Sequence, residues 1–170
     1  MGKEIIFETE HLQVRKLLMN DLKPFHFMQS NPKVMQYAEG DVKSIEAHEI
    51  ELKDLIQFYK KEGNDFWIYA IERKLDAKFV GTLALVKGVK NEDEIGFRFL
   101  EEYWGVGYGF EICKGLIAYS KKVGILKLVG YVIDVNLASA RILKKCNFKV
   151  VKKGIEPKSK LPETKYELIL

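Results

Sequence analysis

Hydrophobic and polar positions along the chain switch between two periods, and turn residues mark the switches. Leu12, Val14 and Leu17 begin as an alternating strand after Thr9-Glu10. Asn20-Asp21 can cap a short helix that carries Leu22, Phe25 and Met28, and Asn31-Pro32 starts another turn. Ser44 reads as the N-cap of a long helix whose stripe, Ile45, Leu52, Leu55, Ile56 and Tyr59, runs close to a 3.6 period, with Gly63 as its stop. Phe66 to Glu72 and Lys78 to Val86 flank Leu75-Asp76-Ala77 as a hairpin. Glu94 to Leu100 is a third strand, with Ile95, Phe97 and Phe99 on one face and Glu94, Gly96 and Arg98 on the other. A helix up to Val123 follows, buried on Ile112, Leu116, Tyr119 and Val123 and stopped by Gly124. Ile125 to Ile133 is apolar on both faces and therefore central. Asn136 caps a helix with Ala140, Leu143 and Cys146 inward, and Phe148 to Val151 and Lys165 to Leu170 are the last strands. Between them, Gly154 to Glu163 reads as a long loop. The order is β-α-α-β-β-β-α-β-α-β-β, an α/β arrangement with a mixed sheet covered by helices.

Composition narrows the class. The chain has 170 residues, 47% hydrophobic and 31% charged, which excludes disordered and fibrous classes and predicts a single domain over 1–170. Cys113 and Cys146 form no CxxC and read as reduced core thiols. The N-terminus carries no signal peptide pattern, and no apolar run approaches the roughly 18 residues of a membrane span. These features predict a cytoplasmic protein with no membrane partner. Charge is uneven: residues 1–85 carry −2 and residues 86–170 carry +6. The basic half fits either a solvated lysine-rich surface or an anion partner.

Trp104-Gly105-Val106-Gly107-Tyr108-Gly109 favours the anion. A strand, a glycine-rich turn and a helix leave the first helical N–H groups unpartnered and add the positive end of the helix dipole. Glycine lets the backbone approach a phosphate where a Cβ would collide. The loop is neither a Rossmann fingerprint, which needs glycine where Phe110 stands, nor a P-loop, which needs Gly-Lys-Ser/Thr. Taken alone, it also fits a turn with no ligand.

The loop has company. Glu94-Ile95-Gly96-Phe97, then Tyr103 to Glu111, then Asn136-Leu137-Ala138-Ser139 and Phe148 resemble the GNAT N-acetyltransferase superfamily, in the branch of the ribosomal-protein N-terminal acetyltransferases. Glu8 to Arg15 and Asn31-Pro32-Lys33-Val34-Met35 resemble the same branch. The resemblance implies a mostly antiparallel sheet with a splayed pair of parallel strands, flanked by helices. It implies transfer of the acetyl group of acetyl-coenzyme A to a primary amine, by direct attack in a ternary complex and without a metal. On its pattern, the backbone of Val106, Gly107, Tyr108, Gly109 and Phe110 holds the pyrophosphate, Phe99 and Leu100 pair with the pantetheine arm, and Asn136 bonds its amides. Three positions depart from the wider superfamily. Trp104 replaces a common Arg or Gln, Leu143 stands where many relatives have a proton-donating tyrosine, and Asn147 stands where glycine is expected. Asparagine tolerates the left-handed conformation that the last position needs.

Amine attack on a thioester needs a neutral amine. A lysine amine is neutral about once in ~2500 at pH 7, a cost of roughly 4.6 kcal/mol, whereas a peptide α-amine costs about 1 kcal/mol. Glu94 is the candidate base, directly or through a water, against the alternative of a surface carboxylate beside Glu92 and Asp93. Ser139 matches a serine that the branch places near the coenzyme sulfur and is the candidate for steadying or protonating the thiolate; the plain alternative is a first-turn helix serine. Asn136 also suits a simple N-cap. Arg98 shares Glu94's face and fits a phosphate, a substrate or a structural ion pair, while Glu111 reads as a first-turn carboxylate. The acceptor is expected to be a protein N-terminal α-amine ahead of a polyamine or aminoglycoside, with walls around Tyr37, Glu39 and Asp41. Three other readings remain: a coenzyme A-binding sensor or interaction module that lacks catalysis, which Leu143 supports; a nucleic-acid binder, which no motif supports; and, for assembly, a homodimer, since many relatives dimerise. His11, His26 and His48 show no metal spacing, and no nucleophile elbow occurs.

Overall fold

A computed structural model describes residues 2–38 and 41–170. Strands β1 (Ile5–Glu8) and β2 (Leu12–Lys16) are followed by helices α1 (Leu22–Gln29), α2 (Pro32–Met35) and α3 (Ile45–Phe58). Strands β3 (Phe66–Arg73), β4 (Lys78–Lys87) and β5 (Asp93–Phe99) form a meander. Helix α4 (Tyr108–Lys122) then crosses to β6 (Lys127–Ile133), and α5 (Leu137–Lys145) leads to β7 (Lys149–Ile155) and β8 (Pro162–Ile169). The strands form one sheet in the order β1-β2-β3-β4-β5-β6-β8-β7. Every neighbouring pair is antiparallel except β5 and β6, which are parallel, as a helical crossover requires. The mixed sheet expected from the pattern is therefore present, with one parallel pair.

The core forms where the periods place it. Leu12, Val14, Leu52, Leu83, Ile112, Leu116 and Leu128 are fully buried. Ser44 caps α3, its Oγ accepting the Ala47 N–H at 3.2 Å. Gly63 and Gly124 take positive φ, and Asn147 follows at φ 67, the left-handed turn that its residue type allows. Cys113 and Cys146 are free and buried. Among the described residues no helix is long and apolar enough to cross a membrane.

Several expectations fail locally. The stretch Ile5–Glu8 is an edge strand that the sequence pattern does not announce. Asp21 does not cap α1 with its side chain. Its carboxylate is held by Arg15 at 2.8 Å and accepts the Leu18 N–H, while Arg15 also meets Glu72 at 2.7 Å, so a buried ion network takes the expected cap. Ile45 and Val123 are exposed, the first at the start of α3 and the second one residue past α4. The expected long loop shrinks to 156–161, because β7 runs to Ile155 and β8 begins at Pro162. Proline is tolerated at a first strand position, and β7 is exposed along its whole length, which erases the inside-outside period.

Candidate active site

The parallel pair does not hold together. β5 and β6 pair at one register point among the described residues, Glu94 opposite Val129, and part beyond it. Leu100 donates its N–H to the Val80 carbonyl at 2.9 Å. Counting back by twos, Arg98, Gly96 and Glu94 turn their backbone groups toward β4, and Phe97 and Phe99 turn theirs into the gap. The Phe99 carbonyl accepts the Trp104 indole N–H at 3.0 Å. The open edge thus centres on Phe97 and ends at the Phe99 N–H. Leu100 lies past it, buried, with its N–H already spent.

The gap opens onto both faces of the sheet. On one face lie α4 and α5. Here a Cβ at Gly109 would stand 2.6 Å from Ile142 Cδ1 and 3.6 Å from Phe97 Cε2, so this glycine is required by helix packing. Gly105 and Gly107 have φ of 73° and 89°, and a Cβ at either would meet nothing within 4 Å, so they are required by the turn itself. Gly107 is the N-cap of α4, and no side chain caps that end. Val106 and Gly107 are exposed, and Tyr108, Gly109 and Phe110 are partly so. Lys114 and Lys145 each place their ammonium 5.4 Å from the Phe110 ring centre, which adds positive charge beside the open N–H groups. Glu111 faces away from them. It accepts the Thr9 hydroxyl and the His11 N–H, and although burial alone would raise its pKa, these bonds hold it below the ordinary range.

A cleft of about 1130 Å³ begins on the other face, at α1 and α3, and runs through the gap between β5 and β6 to α5 and the 156–161 loop. Glu94, Asn136 and Ser139 all line it, as does Leu143, whose side chain is an apolar wall. Asn136 Oδ1 accepts the Ser139 N–H at 3.3 Å, so the expected cap is made and Ser139 is fixed in the first turn of α5. Burial, and secondarily the charge of Glu92, raises the Glu94 carboxyl above its ordinary pKa. Its Oε2 leans toward Gly88, where a Cβ would come within 2.9 Å.

The structure brings in a second carboxylate that the sequence pattern did not single out. Glu163 on β8 sits opposite Ile133 and lines the same cleft. Burial raises its pKa, and the charges of Glu156, Glu94 and Asp134 add to the rise. Its signal in the sequence is the alternation of Thr164 and Tyr166, buried, with Glu163, Lys165 and Glu167 between them. Of the expected acceptor walls, Tyr37 lines the cleft, Asp41 is exposed and does not, and Glu39 lies outside the described residues. Glu51, Glu94, Glu156 and Glu163 line the cleft instead, together with Arg98 and Lys158. Among the described residues no cluster of His, Cys, Asp or Glu could hold a metal ion.

Known proteins share this fold. The acetyltransferase (GNAT) domain family matches residues 11–149. The chain belongs to the GNAT family of N-acetyltransferases. The same fold occurs in a GNAT-family acetyltransferase from Bacillus anthracis, at 20% identity and TM-score 0.81 over 96% of this chain and 97% of that one. An acetyl transferase from Salmonella typhimurium that modifies the N-terminal serine of ribosomal protein L7/L12 aligns at 18% identity and TM-score 0.83, over 98% and 99% of the two chains. A ribosomal L7/L12 alpha-N-protein acetyltransferase in complex with coenzyme A aligns at 18% identity and TM-score 0.84, over 98% of each chain. In this GNAT protein a mixed sheet parted at one parallel pair is the frame of the site.

Proposed function

We propose that the protein transfers the acetyl group of acetyl-coenzyme A to a primary amine by direct attack in a ternary complex. The observation that carries the reading is the gap between β5 and β6, with an uncapped helix N-terminus on one face and a carboxylate-lined cleft on the other. Support for the coenzyme comes from the neighbour solved with coenzyme A and from the lysines beside the open N–H groups.

The residues divide the work by face. Backbone N–H groups from Val106 to Phe110 meet the pyrophosphate, an anion at a helix N-terminus. The Phe97 and Phe99 backbone pairs with the pantetheine arm as a missing strand would, and Asn136 fixes its far edge. This seats the thioester carbonyl in the gap. The acceptor amine enters from the acidic cleft. Glu94, through a water, takes the proton as the C–N bond forms, and Glu163 is the second carboxylate within the same cleft. As the C–S bond breaks, the Ser139 hydroxyl donates to the leaving thiolate, a task that the buried Leu143 cannot perform. A protein N-terminal amine is the preferred acceptor, because it needs the least deprotonation at neutral pH. The ribosomal-protein acetyltransferase from Salmonella typhimurium is consistent with that preference.

Isothermal titration with acetyl-coenzyme A, followed by thiol release over a panel of peptides, polyamines and aminoglycosides, tests the reading. Micromolar binding and turnover are expected. Binding without turnover on any amine would favour a coenzyme A sensor, and no binding would overturn the proposal.

A further inference from the structure

Three of the chain's arginines differ in how their charge is met. Arg15 holds Asp21 at 2.8 Å and Glu72 at 2.7 Å, and Arg73 holds Asp76 at 2.7 Å. Arg98 has no carboxylate within ion-pair distance among the described residues. Its only side-chain hydrogen bond among them is a long one, Nη1 donating to Gln29 Oε1 at 3.4 Å. Gln29 in turn donates to Glu51 at 3.4 Å, and the Glu51 charge is taken by Lys43 at 3.0 Å. Burial among the cleft walls lowers the Arg98 pKa, with the Glu51 charge opposing, yet its side chain stays open to the cleft. A guanidinium that is exposed to the cleft and has no carboxylate partner of its own is open to an anion that enters it.

The coenzyme is a poor candidate for that anion. Its phosphates belong at the start of α4, on the face of Phe97 and Ile142, whereas Arg98 points to the face of α1. Arg98 is therefore an acceptor-side group. It shares a strand face with Glu94, and the gap opens between them at Gly96 and Phe97. An amine seated there has carboxylates on one side. On the other it has Arg98, two residues or roughly 7 Å of strand away. A polyamine laid along this line would bring a second ammonium onto the guanidinium.

We propose that Arg98 selects the acceptor: the amine that is acetylated carries a carboxylate a few bonds away, and that carboxylate pairs with Arg98 while Glu94 and Glu163 face the amine. The inference rests on the N-acetyltransferase reading and names its substrate class. A free amino acid presents such a carboxylate at its α-carbon, and a peptide presents one as an acidic side chain at its second residue. Arginine suits either, since its fork matches a carboxylate with two parallel bonds.

The test uses matched acceptors: serine against serinamide, and N-terminal Ser-Asp against Ser-Asn peptide amides, with spermidine as the polycation. Thiol release gives kcat/KM for each, and equilibrium titration of the coenzyme A-bound protein gives acceptor Kd without needing turnover. In one of the two pairs the carboxylate form is expected to win by about tenfold or more, mainly through KM, the range of a charge-assisted hydrogen bond. The winning pair identifies the source. In Arg98→Gln the ratio should fall to within about twofold. Arg98→Lys, which keeps the charge and loses the fork, should keep part of it, and thermal melts confirm that both variants fold. A wild-type ratio near one in both pairs, a ratio unchanged in Arg98→Gln, or spermidine as the best acceptor would overturn the inference and leave acetyl transfer standing. Absence of acetyl-coenzyme A binding would overturn both.

Discussion

Replacing Glu94 and Glu163 with glutamine, singly and together, separates the two carboxylates of the cleft. Both have raised pKa values, chiefly through burial. A base must be ionised to accept a proton, so wild-type kcat/KM should fall as pH drops through that raised range, above the ordinary carboxylate value. The loss in the variant that removes the base should be about 10²- to 10⁴-fold at pH 7. Alkali then supplies what the base did. For an α-amine, neutral in about one molecule in six to eleven at pH 7, raising the pH to 9 can recover only roughly six- to tenfold before a plateau. For a lysine amine the same change recovers about 100-fold with no plateau. Stability gives the folding control. A carboxyl with a raised folded-state pKa stabilises the fold below its unfolded value and loses that contribution as pH rises through the folded value. Glutamine cannot ionise, so each variant should melt higher than wild type at pH 7 and little differently at pH 4. Thiol-release rates from pH 6 to 9 decide the matter. If all three variants stay within about twofold of wild type across that range, neither carboxylate is the base. If only Glu163→Gln loses activity, Glu94 is a bystander.

Gly107→Ala places a side chain at φ 89°, costing about 1–2 kcal/mol of backbone strain, and should weaken acetyl-coenzyme A binding while leaving S-acetyl-pantetheine, which lacks the pyrophosphate, little affected. Gly109→Ala should destabilise by about 1–3 kcal/mol through its clash with Ile142 Cδ1, and Ile142→Val, which removes that atom, should recover part of the loss in a double-mutant cycle read by urea melts. Arg15→Met strands Asp21 and Glu72 in the core and should cost about 3–5 kcal/mol at pH 7; a loss under about 1 kcal/mol would show that Lys3 and Gln13 suffice for Glu72. Ser139→Ala should lower kcat with little change in acetyl-coenzyme A KM, whereas Asn136→Ala should raise that KM and lower Tm together, because its side chain also caps α5.

The local geometry of the proposed coenzyme half was legible in the sequence and that of the proposed acceptor half was not, and the topology explains the difference. β5, the glycine turn, α4, β6 and the start of α5 are consecutive, from Asp93 to Ser139. Local rules govern each piece: positive φ at Gly105 and Gly107, a free N-terminus at Tyr108, a cap at Asn136. The crossover through α4 also makes β5 and β6 parallel neighbours, and because they pair at Glu94 and Val129 and then part, a gap opens behind the helix start. One contiguous stretch thus contains both the helix start proposed to hold the pyrophosphate and the opening beside it. The acceptor cleft is assembled from pieces that meet only after folding. Gln29 and Glu51 come from two helices, and Glu163 comes from a strand far along the chain from Glu94. Parity placed Arg98 on the right face, but nothing local could show that Gln29, and no carboxylate, would meet it. Glu163 was hidden for a different reason: it closes the stretch expected as a loop, whereas β8 begins at Pro162, ahead of the expected start at Lys165. Exposed edges and long-range partners are free to differ between chains that share a fold, so the residues that a single sequence reveals last are the ones proposed to set which amine is chosen.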